Sequence, residues 1–483
     1  MTPDSLPFPA RLEALAAFAA AGHRTRLPAE VDAFARVLLL DTLGALVGGT
    51  RYPEVRRMRE CLGAGDLRGE DLPFAALFRL GAAATWLDAD SGGSFHPQGH
   101  RLPPVPTAHP APHVLPVVLQ GAARGASDDE LVRAFAVATE VGLRFGTATS
   151  LRPGMHPHGL HGPVAAAVAS SLLRGHSPAQ LATAMGQSLR LLAAARLWQP
   201  MQGGTVRNAW TGLGAYYGAR AAAEAGLRGG LDPTSAGAVL QASVMEDVGD
   251  LPGLTAGLGS RWTFLDSYLK PYACARWIHP ALDALSGALA DGGGEPSSRV
   301  APGDVDHVLV DTFAYAAGLD AVDARSDLHA RFSMPLCLAT LLRDGELHAA
   351  GFLPERLARP EVRELARRIT LRENAKFSAA LPRERPTTVT VTWRDGRTAS
   401  CHVRNARGNP ADPLSADEVA AKFASNVETV LSEGALERCL DAFLVGRSGA
   451  GSALAVVADE VVVGTGAPAL RQVWFRTGRS RCG

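Results

Sequence analysis

Lysine is almost missing from this chain. Of 48 basic residues in 483, only Lys270, Lys376 and Lys422 are lysines; the remaining 45 are arginine. Such a chain uses arginine wherever any cation serves. A surviving lysine therefore marks a place where a compact ammonium with a shiftable pKa is wanted. Net charge is also missing: the formal balance is +0, with no long run of one sign. That argues against nucleic acid as the main partner, because phosphate binding needs a concentrated basic face. Cys61, Cys274, Cys337, Cys401, Cys439 and Cys482 are scattered without a Cys-x-x-Cys pair. This argues against a disulfide framework or a zinc ribbon and predicts reduced cysteines in a cytoplasmic protein. No run approaches the 18 or so apolar residues of a membrane span, and the first residues carry no basic cluster of a secretory signal.

What is present reads as helix in the first half. Residues 28–48 place Leu, Val and Phe at offsets of three and four, entered at Pro28. Residues 129–149, 163–174, 178–196 and 208–226 follow the same rule. Ala165, Ala166, Ala167, Ala169, Ser170 and Ser171 give one of these a small face that suits close helix packing. The texture changes after Tyr268. Residues 291–298 read as a linker and 305–313 as a strand. Thr387–Trp393, an Asp-Gly turn and Thr398–Val403 read as a β-hairpin. Ser415-Ala-Asp-Glu is a capping box opening another helix. The simplest architecture is mainly α. A large all-helical domain comes from both chain ends, residues 1–268 and 413–483. A smaller α+β lid domain, 269–412, is inserted between them.

Chemistry gathers in four places. Residues 87–113 offer Asp88, Asp90, His96, His100, His109 and His113. Residues 154–162 offer His156, His158 and His161. Arg207 and Asn208 open an Ala/Gly-rich helix, where a cation beside helix N-terminal amides would hold a carboxylate. Residues 269–283 carry Lys270, Tyr272, Cys274, Arg276, His279 and Asp283. Imidazole beside carboxylate is what proton transfer near neutral pH requires. Blander readings stand beside this one: histidines that cap helices, helix-end aspartates, a surface ion pair at Arg207. His113, on a helix start, reads as structural. Metal binding is disfavoured, because no His-x-x-x-His pair with a nearby Glu appears. The glycines near Arg207 form no nucleotide-binding pattern.

These motifs, in order along nearly the whole chain, resemble the MmgE/PrpD family. That family includes 2-methylcitrate dehydratase, cis-aconitate decarboxylase and iminodisuccinate epimerase. Leu87-Asp-Ala-Asp, His109-Pro-Ala-Pro-His, Met155-His-Pro-His-Gly, Lys270-Pro-Tyr-Ala-Cys, Phe332-Ser-Met-Pro, Gly408-Asn-Pro and Lys422-Phe carry the resemblance. It implies a helical domain with a smaller lid, a homodimer, and a cleft site using neither metal nor organic cofactor. It implies Asp88, His109, His156, Arg207 and Lys270 as catalytic residues. Asp90, His158, Asn208, Arg276 and His279 are the substrate-binding candidates. The chain departs from the family pattern in three places. Ser91 and Gly92 follow Asp90 where an acid and a threonine are typical. Asp88 and His109 are unusually far apart. Ala275 stands where the decarboxylases have a histidine.

The function implied is proton movement at a carbon next to a carboxylate of a small acid substrate, with no membrane or nucleic-acid partner. The leading expectation is a lyase dehydrating a small hydroxy-(poly)carboxylic acid. Alternatives are a decarboxylase, an epimerase or double-bond isomerase, or a non-catalytic metabolite-binding member of the fold. Arg207 and Lys270 are expected to clamp substrate carboxylates. Lys270 is also expected to be the one lysine facing the cleft, and an ammonium acid.

Overall fold

The structure is a computed structural model and describes residues 6–93, 108–152, 154–193, 196–227, 245–247, 251–292, 300–301, 303–381, 383–446 and 448–463. The fold is mainly α, as the periodicity predicts. Helix α1 (Ala29–Gly49) starts after Pro28 and carries Glu30 and Asp32 in its first turn, where they face the positive end of the helix dipole. Its apolar side is buried throughout, which fixes it as a central helix. Helix α2 (Phe74–Ala84) runs directly into the 85–91 segment. Helices α3 (Ala111–Ala123) and α4 (Asp128–Ala148) follow, the latter entered through a Ser127/Glu130 capping box. The small-faced α5 (Gly162–Leu173) packs between α4 and α6 (Val206–Leu227).

The α2–α6 crossing is unusually close, and glycine is the reason. A Cβ on Gly212 would stand 2.3 Å from the carbonyl oxygen of Phe78, and one on Gly81 would stand 2.9 Å from the Cα of Gly212. This contact matters for the site. The end of α2 delivers Asp88 and Asp90, and the start of α6 delivers Arg207.

The chain's last described helices return to this bundle. Helix α8 (Ala416–Val427) packs on α1, and α9 (Ala450–Val463) packs on α3 and α4. Ahead of these helices in the chain lies the one sheet of more than two strands among the described residues: β3 (Val305–Thr312), β4 (Ile369–Glu373), β5 (Thr387–Trp393) and β6 (Thr398–Val403). Its order is β4-β3-β5-β6, with β3 and β4 parallel and the rest antiparallel. The burial of β5 alternates strictly, so one face packs against α7 (His279–Asp291).

Several sequence expectations shift. The helix read over 178–196 stops at Ser188, because the chain turns to let Ala193 bond Gly159. The stretch 1–268, read as all-helical, also contains ladders of two or three residues, too short to show alternation. One of them pairs β1 (Gly92–Gly93) with β2 (Ser267–Tyr268). His96, His100 and most of the 291–298 linker lie outside the described residues. Cys61, Cys274, Cys337 and Cys439 are free thiols, but Cys401 is disulfide-bonded, against the expectation of reduced cysteines. No helix among the described residues is long and apolar enough to cross a membrane.

Candidate active site

The 85–91 segment is the floor of the site, and its carbonyls are held by side chains from distant elements. Arg207 donates to the Thr85 carbonyl at 2.8 Å, and Arg331 to that of Leu87 at 2.9 Å. Lys270 donates to the Asp88 carbonyl at 2.8 Å, Lys422 to that of Ala89 at 3.0 Å, and the ring of His109 to that of Ser91 at 2.8 Å. Asp88 sits in the middle with φ of +48°, the one non-glycine residue in the left-handed region among those described. Such a conformation costs on the order of 1–3 kcal/mol and persists only where its surroundings over-determine it. Four cations and an imidazole do so here.

Two carboxylates and two cations occupy the space above this floor. Arg207 bridges Asp88 at 2.5 Å and Asp90 at 3.2 Å; Lys270 lies 3.0 Å from the same Asp88 oxygen. All four are buried. Burial alone would raise the Asp90 pKa, but Lys270, the His109 hydrogen bond and Arg207 hold it well below the carboxylate range. Burial alone would lower Lys270; the Asp88 and Asp90 carboxylates outweigh it and hold the ammonium above its ordinary value. The ammonium is thus held in place by the carboxylates beside it. One oxygen of Asp88 and the Nε of Arg207 are buried without a hydrogen bond among the described residues.

Hydrogen bonds sort the histidines into different tautomers. His109 gives its Nδ1 proton to the Ser91 carbonyl, with an Asp90 oxygen 3.1 Å away. In the neutral ring this leaves the lone pair on Nε2, and Asp90 stands where it would stabilise an imidazolium. His156 is the reverse: its Nδ1 accepts from the His158 backbone N–H at 3.1 Å, which leaves the proton on Nε2. Burial, then Arg207 and His109, keep it neutral. His158 stacks on His109 with ring centroids 4.5 Å apart and lies 3.6 Å from Asp90. His113 donates to the His109 carbonyl and accepts from the Gly159 N–H, so it is structural as read from sequence, and burial lowers its pKa to about 3. Asp88, His156, Arg207 and Lys270 are all buried, whereas the His109 side chain keeps 10 % exposure.

Asp90, His109 and His158 bring potential ligand atoms within 4.8 Å of one another. They fit a divalent metal poorly. The His109 nitrogen facing Asp90 carries the proton given to Ser91, and Lys270 and Arg207 already neutralise the two carboxylates.

Two sequence comparisons decide the family. The profile of the MmgE/PrpD N-terminal domain matches residues 13–246, and that of the MmgE/PrpD C-terminal domain matches residues 272–443. The chain belongs to the MmgE/PrpD family. Two relatives named cis-aconitate decarboxylase, from Aspergillus terreus and from its strain NIH 2624 / FGSC A1156, are each 23% identical to it over 450 and 456 residues. Each alignment covers 86% of this chain and 89% of the relative.

Within this family member, the fold gathers Asp88, Asp90, His109, His156, His158, Arg207 and Lys270 into one site. Asn208 joins through Thr85, to whose hydroxyl it donates at 3.3 Å. Arg276 and His279 are occupied otherwise. Arg276 donates to His279, to the Arg407 carbonyl and to Asn409, while His279 bonds the Cys274 carbonyl; together they pin the 406–409 loop. A second lysine also reaches the 85–91 segment. Lys422 crosses to the Ala89 carbonyl and pairs with buried Asp41 at 2.6 Å.

Sequence reasoning passed over Tyr268. It pairs with Gly92 across the β1–β2 ladder, and its ring stands edge-on to His109, 6.3 Å between centroids. A Cβ on Gly92 would lie 2.6 Å from the Tyr268 hydroxyl and 2.7 Å from Cε1 of His109. Tyr268 and His109 thus leave no room for a side chain at position 92. The signal was available, since residues 268 and 270 share a face of extended chain.

Proposed function

We propose that this chain is a lyase that removes a proton from the carbon next to a carboxylate of a small acid, with dehydration of a hydroxy-(poly)carboxylic acid as the leading reaction. The observation that carries the reading is His109. Its Nδ1 proton is committed to Ser91 with Asp90 behind it, and its Nε2 lone pair belongs to the least buried of the catalytic candidates. Membership of the MmgE/PrpD family and the decarboxylase named among its relatives support a lyase of this kind.

In this reading Nε2 of His109 takes the proton, and the C–H electron pair becomes an enolate on the substrate carboxylate. Lys270, with two of its three N–H groups accounted for by Asp88, turns its remaining charge toward that enolate. His156 donates a hydrogen bond from Nε2 without losing its proton. The enolate then expels a β-hydroxyl, which takes the proton back from His109 and leaves as water. Return of the proton to carbon instead gives epimerisation or double-bond isomerisation. The chemistry calls on no metal or organic cofactor. A decarboxylase is the second reading, favoured by the named relatives. There the substrate's own carboxylate leaves as carbon dioxide, and His109, entering the cycle protonated at Nε2 from solvent, delivers that proton to the carbanion.

Proton NMR of small di- and tricarboxylates incubated with the protein in deuterated water separates these outcomes, because exchange, elimination and decarboxylation each leave a different spectrum. Lys270→Ala should cut turnover at least a hundredfold while the far-UV spectrum is kept. Near-normal turnover would remove Lys270 from the mechanism, and a wild-type protein that exchanges no acid would support a non-catalytic role.

A further inference from the structure

Proton transfer by His109 alone leaves the Tyr268 hydroxyl unused, although it stands beside that ring. Tyr268 is held from three sides. Its backbone pairs with Gly92 in the β1–β2 ladder. The Arg276 guanidinium lies over its ring, 4.9 Å from the centroid, and is itself tied to the 406–409 loop. His109 meets the ring edge-on, with 82° between the planes and 6.3 Å between centroids. The hydroxyl and Cε1 of His109 converge on one spot: a Cβ on Gly92 would lie 2.6 Å from the first and 2.7 Å from the second. Cε1 is bonded directly to Nε2, the nitrogen that serves as base in the lyase reading. The phenol O–H therefore flanks the base.

This hydroxyl is also unspent. It makes no hydrogen bond among the described residues, although only 7% of the residue is exposed. A buried phenol ordinarily finds a partner; this one has its donor free for a ligand. The threonines near His158 are occupied instead, Thr85 donating to Thr211 and Thr211 bonding Nδ1 of His158. Burial raises the Tyr268 pKa, with Lys270 and then Arg276 opposing the rise, so the hydroxyl holds its proton at neutral pH.

We infer that Tyr268 relays the proton between Nε2 of His109 and the leaving hydroxyl of the substrate, and so is a second catalytic residue of the elimination. The relay deepens the proposed dehydration and rests on it. A base aimed at a C–H bond is poorly aimed at the oxygen on the next carbon, and a donor beside it removes that conflict. In the step itself the enolate electron pair forms the double bond and the C–O bond breaks. The departing oxygen takes the Tyr268 proton and leaves as water. The phenolate takes the Nε2 proton of the His109 imidazolium, which restores both side chains without a proton from solvent. The Arg276 guanidinium over the ring stabilises the transient phenolate.

The test sets exchange at the acidic carbon against loss of water, both read by NMR in one sample in deuterated water. Malate and citrate, as generic hydroxy acids, are the first probes, followed by each hydroxy acid that the wild type turns over. Tyr268→Phe should slow water loss by about a hundredfold or more, the usual weight of a proton donor. Exchange should fall by less than about tenfold, because His109 still takes the proton, so the ratio of exchange to elimination rises by about tenfold or more. The ratio is read within one sample, so partial unfolding of the variant does not disturb it. His109→Asn should lose both reactions. A ratio in Tyr268→Phe within twofold of wild type overturns the relay and leaves the lyase reading standing. A wild type that exchanges no hydroxy acid, or exchanges without losing water, overturns the dehydration and the relay together.

Discussion

At the scale of single residues, the site is an exercise in charge balance. Asp88 and Asp90 face Arg207 and Lys270 in a space almost closed to water. Removing one partner of such a cluster strands the other, which costs about 3–5 kcal/mol, whereas removing both can be nearly neutral. Lys270→Met should therefore lower stability by about that amount in urea titration. The Asp88→Asn/Lys270→Met double variant should recover most of the loss yet remain inactive. A double variant no more stable than the single one would show that Asp88 and Lys270 are not energetically coupled. The residues themselves were legible before the fold was. Scarcity singled out Lys270, and clustering singled out His109, His156 and His158. Their roles were not legible, because those depend on partners far away in sequence. Nothing in the local sequence says that the Lys270 ammonium rests on Asp88, that the Arg276 guanidinium is spent on a loop, or that Lys422 reaches Ala89.

At the scale of elements, helix positions follow from periodicity and caps, and the hairpin from its alternation and Asp-Gly turn. What periodicity cannot give is how close two helices come. The α2–α6 approach is set by Gly81 and Gly212 against backbone atoms, which cannot yield as a flexible side chain would. Gly212→Ala should destabilise the protein by about 3 kcal/mol, the upper end of overpacking costs. It should also depress kcat, since it pushes Arg207 away from Asp88. An unchanged urea midpoint would mean the helices slide apart freely. The two-residue β1–β2 ladder escaped sequence reading for a different reason: four residues carry no period, yet they fix Tyr268 against Gly92 and so shape the wall beside His109.

At the scale of the whole molecule, a band of neutral histidines is buried near the site. Burial lowers His113 to about 3 and His161 to about 4 from an ordinary 6.5, and pushes His156, His158 and His279 well below it. Folded-state values are depressed, so the unfolded chain takes up protons first. Stability is then complete above pH 6.5 and drains away as pH falls toward 3. Each such ring contributes a slope of about 1.4 kcal/mol per pH unit within its window. Urea midpoints at pH 7, 6 and 5 should fall progressively, and His113→Asn should flatten the trend; a flat profile in the wild type would contradict the burial of these rings. The row of carbonyls from Thr85 to Ser91 has a consequence in time as well as in space. Its anchors lie at residues 109, 207, 270, 331 and 422. A ribosome making this chain releases the floor of the site early and the last of its anchors more than three hundred residues later. The strained turn at Asp88 can therefore set only after Lys422 has been made, so a chain stopped before Lys270 carries Asp88, Asp90, Arg207 and the site histidines but no assembled site.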